Sequence, residues 1–397
     1  MGKFNLSKVQ EILRSMKFDG WILYDFRGSN DLALAIMDIS PKTHLTRRMF
    51  YFVPASGTPV RIVNAIEAHN MAHLPGDEIR YSSHKSLTDA LGRTLKGFKK
   101  LACEYSPLNA IPYCSRVDAG TIEYLSSFGV ELHSSANLIT LLDAIWSKEQ
   151  YEENKSVAKN LHLICQDAFK LIGDSVKSGT QITEWGVQEY ILKRFKEKGM
   201  WTDHDPNCSV NENSANPHYT PSPESSKQIK KGDFVLIDLW AKTEREESVW
   251  SDITWVAHAD TSVPEKYSNV FEIVKQGRDA AYNLVVDRLK NKQNIMGFEV
   301  DDAARNIIEK AGYGEYFFHR TGHSITTQLH GTGPHIDNFE TRDERLLLPG
   351  VSFSIEPGIY LRGDFGIRSE IDVFVDWNEV PEITGGAPQQ FVPALLA

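Results

Sequence analysis

Three histidines lie close together in the segment FFHRTGHSITTQLHG, which spans residues 317–331: His319, His323 and His330. An isolated histidine among apolar and β-branched residues usually packs into a core. Three histidines in one short segment raise a second possibility, that they hold a ligand such as a metal ion. The choice depends on whether other parts of the chain supply carboxylates that share a metal with them.

Two pairs of acids interrupt apolar, strand-like runs, and the histidine segment lies between the pairs. Asp238 lies within VLIDLW and Asp252 opens DITWVA, with the charged, turn-like KTEREES (242–248) between them. Glu356 lies within FSIEPG and Glu370 within RSEIDVFV, on either side of a glycine-rich turn. A carboxylate in a buried strand is costly unless it is paired or bound to a cation, although an acid at a strand end can also cap a turn. Fourteen positions separate the acids of each pair, so two antiparallel hairpins can bring them face to face.

Four carboxylates that converge without a cation repel one another strongly. Together with one imidazole, they form a sensible donor set for two divalent cations, and an oxygen-rich site with one nitrogen suits Mn²⁺, Co²⁺ or Zn²⁺. Two such ions about 3.5–4 Å apart can share a water, make it a hydroxide near neutral pH and polarise a carbonyl. The residues therefore predict a dinuclear centre for amide hydrolysis, with Mn²⁺ as the expected metal and Co²⁺ or Zn²⁺ as alternatives.

A helical zinc-protease motif is the alternative for the histidine segment, since His319 and His323 are four residues apart. However, HRTGH lacks the glutamate of the HExxH motif, and Gly322 disfavours a helix at this place. We therefore set this alternative aside.

The order of the acidic and histidine motifs resembles that of the pita-bread metallopeptidases, which include methionine aminopeptidase, aminopeptidase P and prolidase. The resemblance implies five metal ligands, which appear in order as Asp238, Asp252 in WSDIT, His323 in TGHS, Glu356 in IEPGIY and Glu370 in GIRSE. It also implies that Asp252 and Glu370 bridge the two ions, and that a bridging hydroxide attacks the substrate carbonyl. The resemblance covers residues 148–397.

The same resemblance implies roles for other side chains of the site. Glu356 relays protons as general base and acid, while His330 and His218, the latter in the HYT context, stabilise the tetrahedral intermediate by hydrogen bonding. His319 matches a histidine near the substrate, with ordinary packing as the alternative. Arg342 resembles the arginine that holds the proline carboxylate in prolidase, and a solvated charged turn is its alternative. Arg368 is expected to brace the site beside the substrate.

The branch of the family follows from what the chain contains. A long N-terminal region argues against methionine aminopeptidase, and the intact acids argue against creatinase, which uses no metal. We expect hydrolysis of the Xaa-Pro bond at the N-terminus of short proline-containing peptides. Three departures from the family pattern leave specificity open: Trp240 in place of a glycine, Trp255 in place of an arginine, and the 242–248 loop. Another amide specificity, or a noncatalytic binding protein, is the alternative function.

Two domains are expected in a chain of 397 residues. Residues 1–147 alternate strand-like and helix-like runs, which predicts an α/β fold, and by resemblance a creatinase-like domain. Residues 148–397 combine long amphipathic helices, beginning at a Ser147 cap, with strand pairs. They predict an α+β pita-bread catalytic domain with an antiparallel sheet.

Composition excludes several other classes of protein. The formal net charge is −10, from 43 basic and 53 acidic residues, so a nucleic-acid footprint is not expected. No run approaches about 18 apolar residues, so no membrane span is expected. Four scattered cysteines without a CxxC pair argue against a zinc ribbon or a disulfide scaffold. We expect a cytoplasmic protein, and the resemblance implies a homodimer.

Overall fold

A computed structural model describes residues 4–397, which form two compact units, one that ends at Asp143 and one that spans Ala144–Ala397. The segment just before the expected boundary at 147/148 belongs to the second unit. The Trp146 backbone N–H donates to the Gly350 carbonyl at 2.8 Å, and its indole N–H donates to the Ile325 carbonyl at 2.9 Å.

The first unit contains a six-stranded mixed sheet with the order β4-β3-β2-β1-β5-β6. Its strands are β1 (Gly20–Asp25), β2 (Met49–Pro54), β3 (Val60–Asn64), β4 (Asp77–Tyr81), β5 (Lys100–Cys103) and β6 (Glu131–Ser134). Its helices are α1 (Leu6–Ser15), α2 (Asp31–Ile36), α3 (His84–Leu95), α4 (Ala119–Ser126) and α5 (Ala136–Ile139). The predicted α/β class is confirmed.

The central strand β1 explains why this unit has two layers of helices. Its sequence, GWILYD, is buried at every position, as expected for a strand covered on both faces. Successive side chains point to opposite faces: Trp21 and Leu23 enter one core cluster, whereas Ile22 and Tyr24 enter the other.

The second unit packs four long helices against antiparallel sheets, so the predicted α+β class is confirmed. The helices are α6 (Lys148–Ser178), α7 (Glu184–Glu197), α8 (Glu265–Lys290) and α9 (Gly297–Lys310). The first sheet contains β7 (Met200–Trp201), β8 (Asn207–Val210), β9 (Phe234–Thr243) and β10 (Ser251–His258). A second contains β11 (Ser324–Ile325), β12 (Ser352–Ile355), β15 (Ile371–Val375) and β16 (Pro381–Ile383), and a two-stranded sheet contains β13 (Gly358–Leu361) and β14 (Phe365–Arg368).

Local sequence signals define the ends of α6 and the face that it buries. Ser147 and Gln150 form a capping box at its start, and Gly179, with φ of 76°, ends it in the left-handed region that glycine tolerates best. Leu161 and Ile164 lie on its buried face, within a core cluster that also contains side chains of β9 and β10. This packing supports the sheet that carries two of the predicted metal ligands.

The C-terminal hairpin is divided into two ladders, β12–β15 and β13–β14. Its register is continuous, with Ile355 opposite Ile371 in one ladder and Gly358 opposite Arg368 in the other. The break falls at Pro357, which has no N–H to donate to a ladder. Glu356 and Glu370 lie in this gap. None of the helices in the described part of the chain is both long and apolar enough to cross a membrane.

Candidate metal centre

Three of the five predicted ligands form a compact buried cluster. Ligand atoms of Asp252, His323 and Glu370 all lie within 4.8 Å of one another. The other two, Asp238 and Glu356, lie beside them and line the same cleft as Asp252 and His323, which has a volume of about 1380 Å³. Sequence reasoning placed all five in one site, and the structure brings all five together.

The β9–β10 hairpin places its two acids on one face but not directly opposite each other. Asp238 lies opposite Thr254, and Asp252 lies opposite Trp240. Directly opposite residues share a face of the sheet, so the two acids are diagonal neighbours. The expectation that they face each other is therefore wrong in its detail. The reason is the register, because the ladder closes with Ser251 opposite Ala241, two positions away from the pairing that would place the acids directly opposite each other.

Backbone contacts aim the ring of His323 at the acids. Its backbone N–H donates to Ser354 Oγ at 3.0 Å, and its Nδ1 lies 3.3 Å from the Ser324 carbonyl. A proton on Nδ1 leaves the Nε2 lone pair directed toward Asp252 Oδ2 at 3.7 Å and Glu356 Oε1 at 3.4 Å. Ser354 also donates to Glu356 Oε1 at 3.1 Å. A neutral imidazole held in this way is a suitable metal ligand.

Burial and mutual repulsion perturb every carboxyl in the cluster. Burial, together with Asp238 and Glu356, raises the pKa of Asp252 well above its usual value, and burial with Asp252 does the same for Glu370. Burial also opposes ionisation of Glu356, but His323 and Arg368 outweigh it and hold its pKa below the usual value. Burial lowers the pKa of His323, against the opposing effect of Glu356.

The cluster meets the chemical requirements of a divalent metal site. Asp252 Oδ1 and Glu370 Oε1 are buried and have no hydrogen-bond partner within residues 4–397, which is rare and costly in a folded protein. A divalent cation would satisfy both oxygens and relieve the repulsion between the acids. Oxygen donors with one imidazole nitrogen suit such an ion. The residues therefore fit the predicted metal.

Asp238 differs from the other acids because both of its oxygens already have partners. Arg368 donates to Oδ2 in a buried ion pair, and Thr254 Oγ1 lies 3.1 Å from Oδ1. Thr254 Oγ1 also accepts from Arg368 Nε at 2.8 Å and lies 2.7 Å from Glu370 Oε2. Metal binding by Asp238 would therefore compete with Arg368. The guanidinium of Arg368 therefore links Asp238 and Thr254.

The remaining predicted histidines all line the cleft. The ring of His330 lies 4.4 Å from that of His323 in an edge-to-face arrangement, and burial and His323 lower its pKa. His319 bonds to the Arg320 carbonyl through Nδ1 at 2.6 Å and to the Tyr360 hydroxyl through Nε2 at 2.9 Å. Burial lowers its pKa to about 4. His218 lies on an exposed turn, where its N–H donates to the Asn216 side chain at 3.2 Å.

Arg342 is not brought to the cleft lining described for residues 4–397. Its Nε donates to Glu344 at 3.0 Å, and its guanidinium lies 3.7 Å from the centre of the Phe298 ring. This is the solvated charged turn that was the alternative for this residue. Arg320, between His319 and His323, lines the cleft instead.

Sequence reasoning missed two polar residues that support the acids. Thr254 contacts Asp238 and Glu370, as described above. Asp372 is 1% exposed, and its Oδ2 accepts from the Asp252 backbone N–H at 2.7 Å. The alternation of Glu370 and Asp372 in SEIDV could have indicated that both side chains lie on one face of the strand.

Comparison with known proteins gives a family and a fold. The sequence model of Metallopeptidase family M24 matches residues 157–376. An uncharacterized peptidase of Staphylococcus saprophyticus is 30% identical over 268 residues, which cover 66% of this chain and 69% of that protein. The Xaa-Pro dipeptidase of Lactobacillus delbrueckii is 34% identical over 205 residues, and this chain spans about half the length of that enzyme (50%).

Two solved structures share the fold over almost the whole chain. The prolidase from Pyrococcus horikoshii has a TM-score of 0.57 at 23% identity and is matched over 98% of this chain and 99% of its own. Dipeptidase PepE from Mycobacterium ulcerans has a TM-score of 0.62 at 20% identity, over 99% of both chains. The expected fold is therefore confirmed.

Proposed function

Because the chain belongs to metallopeptidase family M24, we propose that it is a metal-dependent exopeptidase that hydrolyses the Xaa-Pro bond at the N-terminus of short peptides. The observation that carries the proposal is the buried cluster of Asp252, His323 and Glu370 on an open cleft, with two carboxylate oxygens that have no partner among residues 4–397. The relatives named Xaa-Pro dipeptidase, from two Lactobacillus species and Pyrococcus horikoshii, support the choice of bond.

In this proposal, Asp252, His323, Glu356 and Glu370 hold divalent metal, and Asp238 joins them when Arg368 releases its carboxylate. Bound divalent metal supplies Lewis acidity to the peptide carbonyl and to the attacking water. Two ions, with Mn²⁺ before Co²⁺ or Zn²⁺, match the number of donors.

Four side chains of the cleft perform the remaining steps of the proposed reaction. Glu356 is ionised and lines the cleft, so it takes a proton from the attacking water and delivers it to the leaving nitrogen. His330 is neutral and donates a hydrogen bond to the oxygen that gains charge, and His218 does so from the facing turn. His319 accepts from Tyr360, which fixes its ring beside the substrate. These roles come from the family resemblance, and the positions of the four side chains on the cleft support them.

A short substrate leaves open what holds its free carboxylate. Arg342 was the sequence-based choice, but its contacts with Glu344 and Phe298 keep it in a charged turn. Arg320 lines the cleft beside His319, so we assign this role to Arg320 if dipeptides are the substrate. A guanidinium binds a carboxylate in a fixed orientation.

The proposal includes a cytoplasmic homodimer. Cys103, Cys165 and Cys208 are free and buried, which suits a reducing compartment. The dimer rests on the family resemblance, and light scattering of the purified protein measures it directly.

Hydrolysis of matched peptides tests the proposal. Metal-stripped protein, resupplied with Mn²⁺, Co²⁺ or Zn²⁺, is given Ala-Pro, Ala-Pro-Ala, Ala-Ala and N-acetyl-Ala-Pro. We expect cleavage of the proline peptides with a free amine and little or no cleavage of the other two. Cleavage of Ala-Pro alone would make the protein a dipeptidase and support Arg320, whereas preference for the tripeptide would make it an aminopeptidase. Metal binding without cleavage of any peptide would favour another substrate or a binding role.

A further inference from the structure

The cleft has an aromatic and acidic wall that the proposed chemistry does not use. Trp240 follows Asp238 by two positions on β9 and lies opposite Asp252 on β10, so its side chain shares a face with both acids. Its indole N–H donates to Asp203 Oδ1 at 3.0 Å, and both residues line the cleft. A flat apolar ring with a carboxylate fixed at its edge therefore stands next to the candidate metal centre.

A buried amide belongs to the same wall. Asn207 lies opposite Asp238 on the other side of β9, is 4% exposed and lines the cleft. Its Oδ1 has no hydrogen-bond partner in the part of the chain that the structure describes. A buried carbonyl oxygen without a donor is costly, and a donor on a bound ligand would satisfy it.

The charge of this wall favours a cation. Asp203 and Asp205 both line the cleft, as do His330 and Lys242. Two basic side chains lie on this wall. His204 Nδ1 is 3.3 Å from Asp203 Oδ1, and Lys242 Nζ donates to the carbonyls of Ser248 at 3.2 Å and Thr327 at 3.1 Å. With His204 neutral, the two carboxylates exceed the charge of Lys242.

We propose that Trp240, Asp203 and Asn207 form the subsite for the side chain of the peptide's N-terminal residue, and that this subsite selects lysine or arginine. The inference rests on the proposed function and names its substrate class. The indole face attracts a cation, Asp203 pairs with it, and Asn207 Oδ1 accepts one of its N–H groups. An apolar side chain would shield Asp203 from water and leave Asn207 without a donor, which disfavours binding.

A binding measurement tests the subsite without requiring turnover. Mn²⁺-loaded protein is titrated by calorimetry with L-lysine amide and with L-norleucine amide, which carry the same α-ammonium and differ in the side-chain charge. We expect lysine amide to bind about tenfold more tightly, the order of one ion pair with a cation–π contact. Asp203→Asn should reduce the ratio to about twofold or less, and Trp240→Leu should reduce it in part.

Asp174→Asn is the matched control, because this aspartate pairs with Lys170 on the exposed face of α6, outside the residues that line the cleft. Asp174→Asn should show the same ratio of affinities for lysine amide and norleucine amide as the unchanged protein. Equal binding of the two amides overturns the subsite. A loss of affinity for both amides in Asp203→Asn assigns that carboxylate to the α-ammonium and also overturns it.

The same samples, given Lys-Pro and norleucyl-Pro, separate the two proposals. Faster cleavage of Lys-Pro supports both. Preferential binding of lysine amide without cleavage of either dipeptide supports the subsite and contradicts the proposed function. Equal cleavage of the two dipeptides together with equal binding of the two amides supports the proposed function and overturns the subsite.

Discussion

Replacement of Arg368 by methionine perturbs the ion pair at the centre of the site. The guanidinium is 6% exposed and bonds to Asp238, while its Nε lies 2.8 Å from Thr254 Oγ1 and 3.6 Å from Glu356 Oε2. Methionine keeps much of the length of the side chain but removes the charge. Asp238 then remains buried without a cation. Chelated protein should lose stability, and Mn²⁺ should return most of the loss, because a cation again faces the acids.

The size of the expected loss of stability follows from the burial of the Arg368–Asp238 ion pair. Removing one partner of a buried ion pair costs about 3–5 kcal/mol. Burial already outweighs Arg368 in setting the pKa of Asp238, which lies above its usual value, so protonation limits the loss to about 3 kcal/mol at neutral pH. For a domain of this size, that corresponds to a fall in Tm of roughly 6–12 °C.

Thermal unfolding followed by circular dichroism, with EDTA and with saturating Mn²⁺, measures both effects. Arg342→Met is the matched control, because its exposed pair with Glu344 contributes less than about 1 kcal/mol. The reasoning is refuted if chelated Arg368→Met unfolds within about 2 °C of the unchanged protein. A loss that Mn²⁺ does not reduce would show that Asp238 does not face the metal.

Three further predictions concern other parts of the structure. Burial raises the pKa of Glu104 to about 7. The folded state therefore retains a proton that the unfolded state releases near pH 4.5. The free energy of unfolding should fall by about 3 kcal/mol as the pH rises from 4.5 to 7. Urea unfolding at both pH values should show a weaker fall in Glu104→Gln. Tyr219→Phe removes the 2.7 Å hydrogen bond to buried Glu184. The free energy of unfolding in urea should fall by about 1–2 kcal/mol, and KM should rise because the His218 turn is loosened. An unchanged free energy of unfolding and an unchanged KM would contradict this prediction. Gly322→Ala places a Cβ 1.9 Å from the Ser354 carbonyl oxygen. Because this clash should shift the neighbouring His323, the protein should bind Mn²⁺ more weakly. Unchanged Mn²⁺ affinity in calorimetry would contradict this prediction.

Much of the candidate site could be predicted because its residues lie in short, recognisable sequence motifs. Charged residues inside apolar strand runs are costly, so Asp238, Asp252, Glu356 and Glu370 were recognisable as candidate metal ligands without any structure. Their spacing also predicted the two hairpins. One imidazole was expected to complete the donor set, and His323 Nε2 lies 3.7 Å from Asp252 Oδ2 and 3.4 Å from Glu356 Oε1.

The rest depends on register and on partners distant in sequence. Whether Asp252 faces Asp238 or Trp240 is decided by where the β9–β10 turn closes, and a shift of pairing changes which residues meet across the ladder. The Arg368–Asp238 pair joins residues 130 positions apart, so neither local motif predicts it. Arg342 matched a family position by spacing, but stacking on Phe298 holds it in a charged turn.

Titration of metal-stripped protein with Mn²⁺, followed by an Ala-Pro assay of the same samples, tests the central claim most directly. The comparison is between the unchanged protein and Glu370→Gln, which keeps the shape of the side chain but removes a charged donor. We expect cleavage to appear only as Mn²⁺ binds, and we expect Glu370→Gln to weaken Mn²⁺ binding and to lose cleavage together. Cleavage that persists in chelator, or in Glu370→Gln without bound Mn²⁺, would contradict that claim.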